Sequence, residues 1–443
     1  MLFGKKKSPA APFSFIPAVH ERWLCLTLVV AKILLFFRRY NEMGGSDAGS
    51  HLDMVRELTW SHPMIDIKAM FYSYHPPLGF LLPRLLYLAG LTDRVAVQIV
   101  ALLFSLTAFF LLRATLKHLK LLAHPVALAF LYLFAAMPMQ QYLQTSMNLD
   151  VFILAYVCLA LYCSVRLWWG TTPSRTTALA LHLVLWASVV LALYTKFSGV
   201  LVPFIPLLAL LLSLKRKITK SWAAVFLTLM LAACATLPYY TYRYYRTEGT
   251  FFPNNGNWLN GGAQQGARDR RDADPAAWFR NVLFSNPFVH GRLTWRDDKE
   301  IRVWNAWWDT WVGIFATKGW NMSVGLFYLY GATIGCVAGA LAFLFRRRGM
   351  DVLWRRFGWM TIGIAGAFLA SFLSYLWKNP DTSWGPVKGI YVAPIMLAAA
   401  FLLSQALFLP VLSRALRTGT GQRLLLGGLA AYILTNLTLP VYV

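Results

Sequence analysis

The chain has 443 residues, 58% of them hydrophobic and only 14% charged, with a net charge of +24. Soluble domains carry about 25% charged residues, so a soluble globular fold is excluded. A polytopic helical membrane protein is implied, because lipid leaves helices as the default way to satisfy the backbone. Most Lys and Arg sit in short loops beside apolar runs. That placement fits membrane orientation and anionic lipid headgroups, and it argues against nucleic acid as a partner.

Lys5–Lys7 precede a Pro-rich stretch and a first apolar run, which reads as a retained anchor. The apolar runs that predict spans are Trp23–Phe37, Val95–Leu112, Pro125–Met139, Val151–Trp168, Ala178–Tyr194, Val200–Leu214 and Trp222–Tyr239. They continue with Val324–Phe345, Phe357–Trp377, Ile390–Leu412 and Leu424–Thr438, giving about 11 transmembrane helices. The fold class is therefore all-α, and residues 1–443 read as one transmembrane domain. The five cysteines, Cys25, Cys158, Cys163, Cys234 and Cys336, fall in apolar runs without metal-ligand or disulfide spacing.

The run Leu78–Leu91 is apolar but short, with Arg84 near its middle. If it lies in the interface, the basic clusters at Arg113/Lys117/Lys120, Arg166/Arg175, Lys215–Lys217, Arg346–Arg348 and Arg414/Arg417/Arg423 share a side with Lys5–Lys7. If it spans, they part from those lysines. The positive-inside rule selects the interfacial helix. Residues 41–91 then form one external loop, and 241–321 form a second on the same face. That second loop is dense in tryptophan: Trp258, Trp278, Trp295, Trp304, Trp307, Trp308, Trp311 and Trp320. An aromatic belt at headgroup level explains them, and stacking surfaces for sugar rings are the alternative.

The polar load gathers on this face. Gly44-Gly45 signals a turn, and Ser46-Asp47 can cap a following helix. On that helix Asp47 and His51 share a side, while Asp53 points away. Asp47 at the positive helix end stays ionised and can serve as a general base, or it is only a cap. His75-Pro76-Pro77 fixes an extended entry to the interfacial helix. Asp150 opens a span, as a cap or as a functional carboxylate. Lys196 breaks two apolar runs, as a snorkelling lysine or a binding group. Lys388 and Tyr391 begin another span. Two carboxylates, two lysines and a histidine at one membrane face make a candidate site.

In this order the segments resemble the multispanning GT-C glycosyltransferases that use polyprenyl-phosphate-linked sugars, in particular the protein O-mannosyltransferases and the lipid A aminoarabinose transferases. The family's Asp-Glu-x-x-His/Tyr pattern is met by Asp47-Ala48-Gly49-Ser50-His51, without the Glu. Its His/Lys-Pro-Pro-Leu segment is met by His75-Pro76-Pro77-Leu78. Asn148-Leu149-Asp150 stands for Asn-Pro-Asp, Tyr194-Thr195-Lys196-Phe197 for Leu-Thr-Lys-Gly, and Lys388 to Pro394 for the late basic-Tyr-Pro stretch.

The resemblance implies an inverting transfer of sugar from a polyprenyl-phosphate donor to a hydroxyl of a glycan, lipid or protein. It implies the inner membrane of a bacterium, with the site on the periplasmic or extracellular face. Asp47 is then the catalytic base, and His51, His75, Asp150, Lys196, Lys388 and Tyr391 bind substrate. A lipid phosphate is a good leaving group and needs cations more than an acid, so no cofactor is required. A divalent metal held by Asp47 and Asp150 stays open. The competing reading is a lipid or sugar transporter or flippase. That predicts broken spans at matching places in two halves, and no such symmetry shows in the sequence.

Overall fold

The computed structural model describes residues 16–42, 48–58, 75–145, 148–169, 171–213, 218–251, 261–276, 322–346, 350–378 and 393–438. Among them every regular element is helical. The first nine α-helices are α1 (Ala18–Arg38), α2 (Ala48–Glu57), α3 (Leu78–Leu88), α4 (Asp93–His118), α5 (Pro125–Ala136), α6 (Pro138–Thr145), α7 (Asp150–Trp168), α8 (Arg175–Thr195) and α9 (Phe204–Ser213). There follow α10 (Ile218–Tyr240), α11 (Gly261–Ala273), α12 (Met322–Arg346), α13 (Val352–Lys378), α14 (Ile395–Gln405), α15 (Pro410–Ala415) and α16 (Gly419–Thr438).

Five stretches are long and apolar enough to cross a membrane: Asp93–His118, Asp150–Trp168, Arg175–Thr195, Ser221–Glu248 and Val352–Tyr375. The protein is thus an integral membrane protein, and α7 is its axis. Helix α7 packs against α4, α8 and α9, and its burial runs nearly unbroken from Asp150 to Val165. A helix apolar on all sides is stable only inside such a bundle. Helix α14 packs against α12, α13 and α5. Outward faces stay apolar, as at Trp23, Leu34 and Phe37 of α1, which suits a lipid surround.

Several predicted spans are cut by local chemistry. Pro125–Met139 stops as a helix at Ala136, and α6 restarts at Pro138, because proline is accepted in a first helical turn and not inside one. The Val200–Leu214 run is a 3₁₀ turn, Phe197–Leu201, followed by the ten-residue α9. The last part of Ile390–Leu412 breaks at Leu409 before Pro410, while residues 390–392 lie outside the described residues. The second external loop begins later than Thr241. Helix α10 runs on through a π-helical segment, Thr241–Tyr245, to Glu248. The eight tryptophans assigned to that loop lie outside the described residues.

Helix α3 has 11 residues, about 16 Å at 1.5 Å each, half a hydrocarbon core. By length alone it falls short of a full crossing, and the charge of Arg84 is held by backbone carbonyls. The Arg84 Nη1 donates to the Val55 carbonyl at 3.0 Å and also to the Arg56 carbonyl, closing the open end of α2. Arg56 donates to Asp93 Oδ2 at 2.6 Å and pairs with Asp53 at 3.2 Å. Gln98 of α4 donates to the Arg39 carbonyl at 2.7 Å and accepts from Asn41 N at 3.1 Å. The ends of α1, α2 and α4 that meet beside α3 are therefore knitted together.

An α3 that does not cross makes a topological prediction. In a background without the native cysteines, single cysteines at Tyr40 and Leu91 should react with an impermeant maleimide from the same face, and one at Lys120 from the opposite face. Labelling of Tyr40 and Leu91 from opposite faces would mean that α3 crosses the membrane.

Candidate active site

Helix α7 starts where the sequence places Asp150, but the capping work falls to a neighbour. Asn148 Oδ1 accepts from Asp150 N at 2.9 Å, making the turn that opens the helix. That leaves the Asp150 carboxylate for another partner. Its Oδ2 accepts from Lys196 Nζ at 2.6 Å. Both residues are buried, Asp150 at 1% and Lys196 at 9% exposure. Lys196 is thus neither a lone nor a snorkelling lysine. It follows the last turn of α8 and is tied to the first turn of α7.

Two close approaches place the pair. Gly79 in the first turn of α3 lies against Leu149 and Thr195, the residues just before Asp150 and Lys196, and any Cβ there would collide with Leu149 Cδ2. Gly199 in the 3₁₀ turn sits on the Ala192 carbonyl of α8, where no side chain fits. The chain after Lys196 thereby folds back and leaves Phe197 facing the site.

Phe197 touches the His75 ring with centroids 6.0 Å apart. His75 stacks on His51 at 6.5 Å and 11°, and His51 stacks on Phe80 at 5.5 Å. Both imidazoles are buried. His75 is held well below the usual histidine range, first by burial, then by the positive charge of Lys196 and by His51. The structure therefore brings together four of the predicted residues: His51, His75, Asp150 and Lys196. Asp53 is off this cluster, half-exposed and bound to Arg56. Asp47, Lys388 and Tyr391 lie outside the described residues.

The sequence reading missed one wall of this site. On its other side Phe197 meets Tyr244 at 5.2 Å and Tyr240 at 6.1 Å. The Tyr240 hydroxyl donates to the Leu193 carbonyl at 2.6 Å. Tyr244 is fully buried, and the adjacent Arg243 is buried to 7% exposure with its guanidinium 5.7 Å from the Tyr244 ring. The π-helical segment carries both residues inward, and such segments recur at functional sites. The sequence signal was the run Tyr239-Tyr240-Thr241-Tyr242-Arg243-Tyr244-Tyr245, too aromatic for an ordinary loop. Among the described residues no three of His, Cys, Asp and Glu gather as a metal-ligand group.

The class these features define is a polytopic helical membrane protein with a cationic, aromatic site at the end of its central helices. Residues 74–240 match the family model described as dolichyl-phosphate-mannose-protein mannosyltransferase. The GT-C resemblance is shown over that stretch, which holds His75, Asp150 and Lys196, ends before Arg243 and is less than half of the chain. No curated protein sequence matches. Two similar solved structures are crystal structures of ArnT from Cupriavidus metallidurans. The one bound to undecaprenyl phosphate is 13% identical, with a TM-score of 0.43, covering 89% of this chain and 78% of that one. The apo form is 14% identical, with a TM-score of 0.41, covering 90% and 78%. At those scores they are likenesses only.

Two outcomes are expected. Asp150→Asn should destabilise the protein by about 3–5 kcal/mol, because it strands a buried ammonium. Lys196→Met added to it should restore part of that loss, which thermal unfolding in detergent can measure. Equal stability of the single and double variants would deny the coupling. The second concerns His75. Its folded pKa lies below the unfolded value, so between about 6.5 and the folded value the unfolded chain binds the extra proton. Stability is whole above pH 6.5 and is lost as pH falls through that window. His75→Gln should flatten this acid limb, and an unchanged limb would assign it to other groups.

Proposed function

We propose that the protein is an inverting glycosyltransferase that moves a sugar from a polyprenyl-phosphate donor to an acceptor hydroxyl at the external membrane face. The observation that carries this reading is the gathering of His75, Asp150, Lys196 and Arg243 around Phe197, the first three within the segment that matches the mannosyltransferase model and Arg243 just beyond its end. A polyprenyl phosphate keeps its chain in lipid and presents a charged group at the interface. Buried cations at the ends of membrane helices suit that group.

Lys196, Arg243 and Lys388 are the proposed phosphate-holding residues. An ammonium carries three donors, so the ion pair to Asp150 is compatible with a contact to a phosphate oxygen. Asp150 fixes where the ammonium stands, and fixed charge stabilises a developing phosphate better than mobile charge. His75, kept neutral by its surroundings, offers a neutral hydrogen-bonding ring and not a further cation. The rings of Tyr240, Tyr244 and Phe197 give the sugar apolar faces to lie against, and Tyr391 belongs with them in this reading. The proposed acceptors are a glycan, a lipid or a protein. The proposed compartment is the bacterial inner membrane, with the reaction on its periplasmic face.

Asp47 is the proposed base. It immediately precedes α2, where His51 is buried towards His75 and Asp53 is turned to Arg56. In this reading it takes the acceptor proton from the side of the sugar opposite the leaving phosphate, which inverts the anomeric centre. No divalent ion is needed in this scheme.

The test compares two carboxamides, with transfer of radiolabelled sugar from a polyprenyl-phosphate donor as the readout. Asn caps a helix about as well as Asp, so Asp47→Asn removes only the proton acceptor. It should lower transfer by about 10²–10⁴-fold while sparing donor binding. Asp53→Asn should cost far less. Near-full activity in Asp47→Asn would end the assignment, and equal losses at both positions would mean that the base is another group.

A further inference from the structure

Helix α1 buries a lysine that the proposed chemistry does not use. Lys32 is 2% exposed, six residues before the external end of α1 at Arg38, or about 9 Å into the membrane from that end. Its Nζ donates to Ser105 Oγ of α4 at 2.8 Å and to Gln144 Oε1 of α6 at 3.4 Å. Gln144 Nε2 donates back to the Lys32 carbonyl at 2.8 Å. Ser105 Oγ donates to Gln140 Oε1 at 3.3 Å. None of the ion pairs among the described residues includes Lys32.

The hydrogen-bond inventory of this cluster is one-sided. Its acceptors, Ser105 Oγ, Gln140 Oε1 and Gln144 Oε1, are all engaged. Each acceptor has at least one partner, and what is left without one is on the donor side. The ammonium has a third hydrogen and Gln144 Nε2 a second. Gln140, 1% exposed, has an Nε2 with no partner at all. An ammonium in a low-dielectric interior costs several kcal/mol unless a counter-charge stands beside it or it gives up its proton, and a buried unpaired amide adds its own penalty. What would satisfy both is small, carries one negative charge and only accepts hydrogen bonds. A water molecule would take the donors but would leave the charge.

We propose that Lys32, Ser105, Gln140 and Gln144 form a binding site for a small monovalent anion, chloride under ordinary conditions, at the junction of α1, α4 and α6. The ion neutralises Lys32 and joins three helices that side chains alone leave with an unbalanced charge. It is separate from the phosphate-holding residues around Phe197, so it stands or falls independently of the proposed transfer reaction.

The test uses the purified full chain in detergent, with sodium chloride or bromide exchanged for sodium gluconate at constant ionic strength. The halides should raise the unfolding midpoint saturably, by on the order of 2–4 °C, and crystals grown in bromide should show anomalous density at the cluster. Lys32→Met should abolish the halide dependence. If that variant does not fold, Gln140→Glu decides. It is nearly isosteric, supplies the counter-charge internally, and should unfold in gluconate no earlier than the unaltered protein while losing its response to halide. A midpoint of the unaltered protein indifferent to halide, or the same response in either folded variant, would overturn the proposal.

Discussion

The ion pair between Asp150 and Lys196 sets the terms for everything around it. A carboxylate and an ammonium 2.6 Å apart, both buried, are stable only while each keeps the other. The first turn of α7 and the residue after α8 are therefore locked together at one membrane face. Leu149 and Thr195, just before the two charges, press on Gly79 and so seat α3. Lys196 also bears on His75, which carries His51 and α2 with it.

The pair is a poor choice for stability alone, since apolar residues of similar volume would often do as well. What the pair does provide is an ammonium that is charged and held in place. The aromatic wall serves the same end. Phe197, Tyr240 and Tyr244 close the space beside Lys196 with rings, and the Tyr240 hydroxyl is spent on the α8 backbone at Leu193. Charge and shape are supplied by different elements, and α8 holds both.

Much of this was legible in the residues. Composition gave the helical membrane class, and the charge alternation put Leu78–Leu91 in the interface, where the structure has a helix of 11 residues. His51, His75, Asp150 and Lys196 were picked out by being polar on one face, and they do converge. What the sequence hid was pairing. Asp150 looked like a cap because it begins a span, and only its distance to Lys196, 46 positions on, shows otherwise. Arg243 sat inside a presumed loop because a π-helical continuation has no clear periodic signature. Lys32 lies in the apolar run Trp23–Phe37, where one lysine is easily passed over as snorkelling. Helix breaks at Pro138 and Pro410 were foreseeable from proline's missing donor.

The shortness of α3 bears on the lipid as much as on the protein. An apolar helix of 11 residues, anchored through Arg84 to the carbonyls at the end of α2, covers only about half the thickness of a hydrocarbon core. If it lies in the interface, its apolar face fills only the outer part of one leaflet, and the lipid beneath it has to bend or thin to close the space. A dimple there lowers the headgroup plane towards the level of His75 and Lys196. A chain-bearing phosphate would then reach the buried cations by sliding sideways within its own leaflet, without being lifted into water.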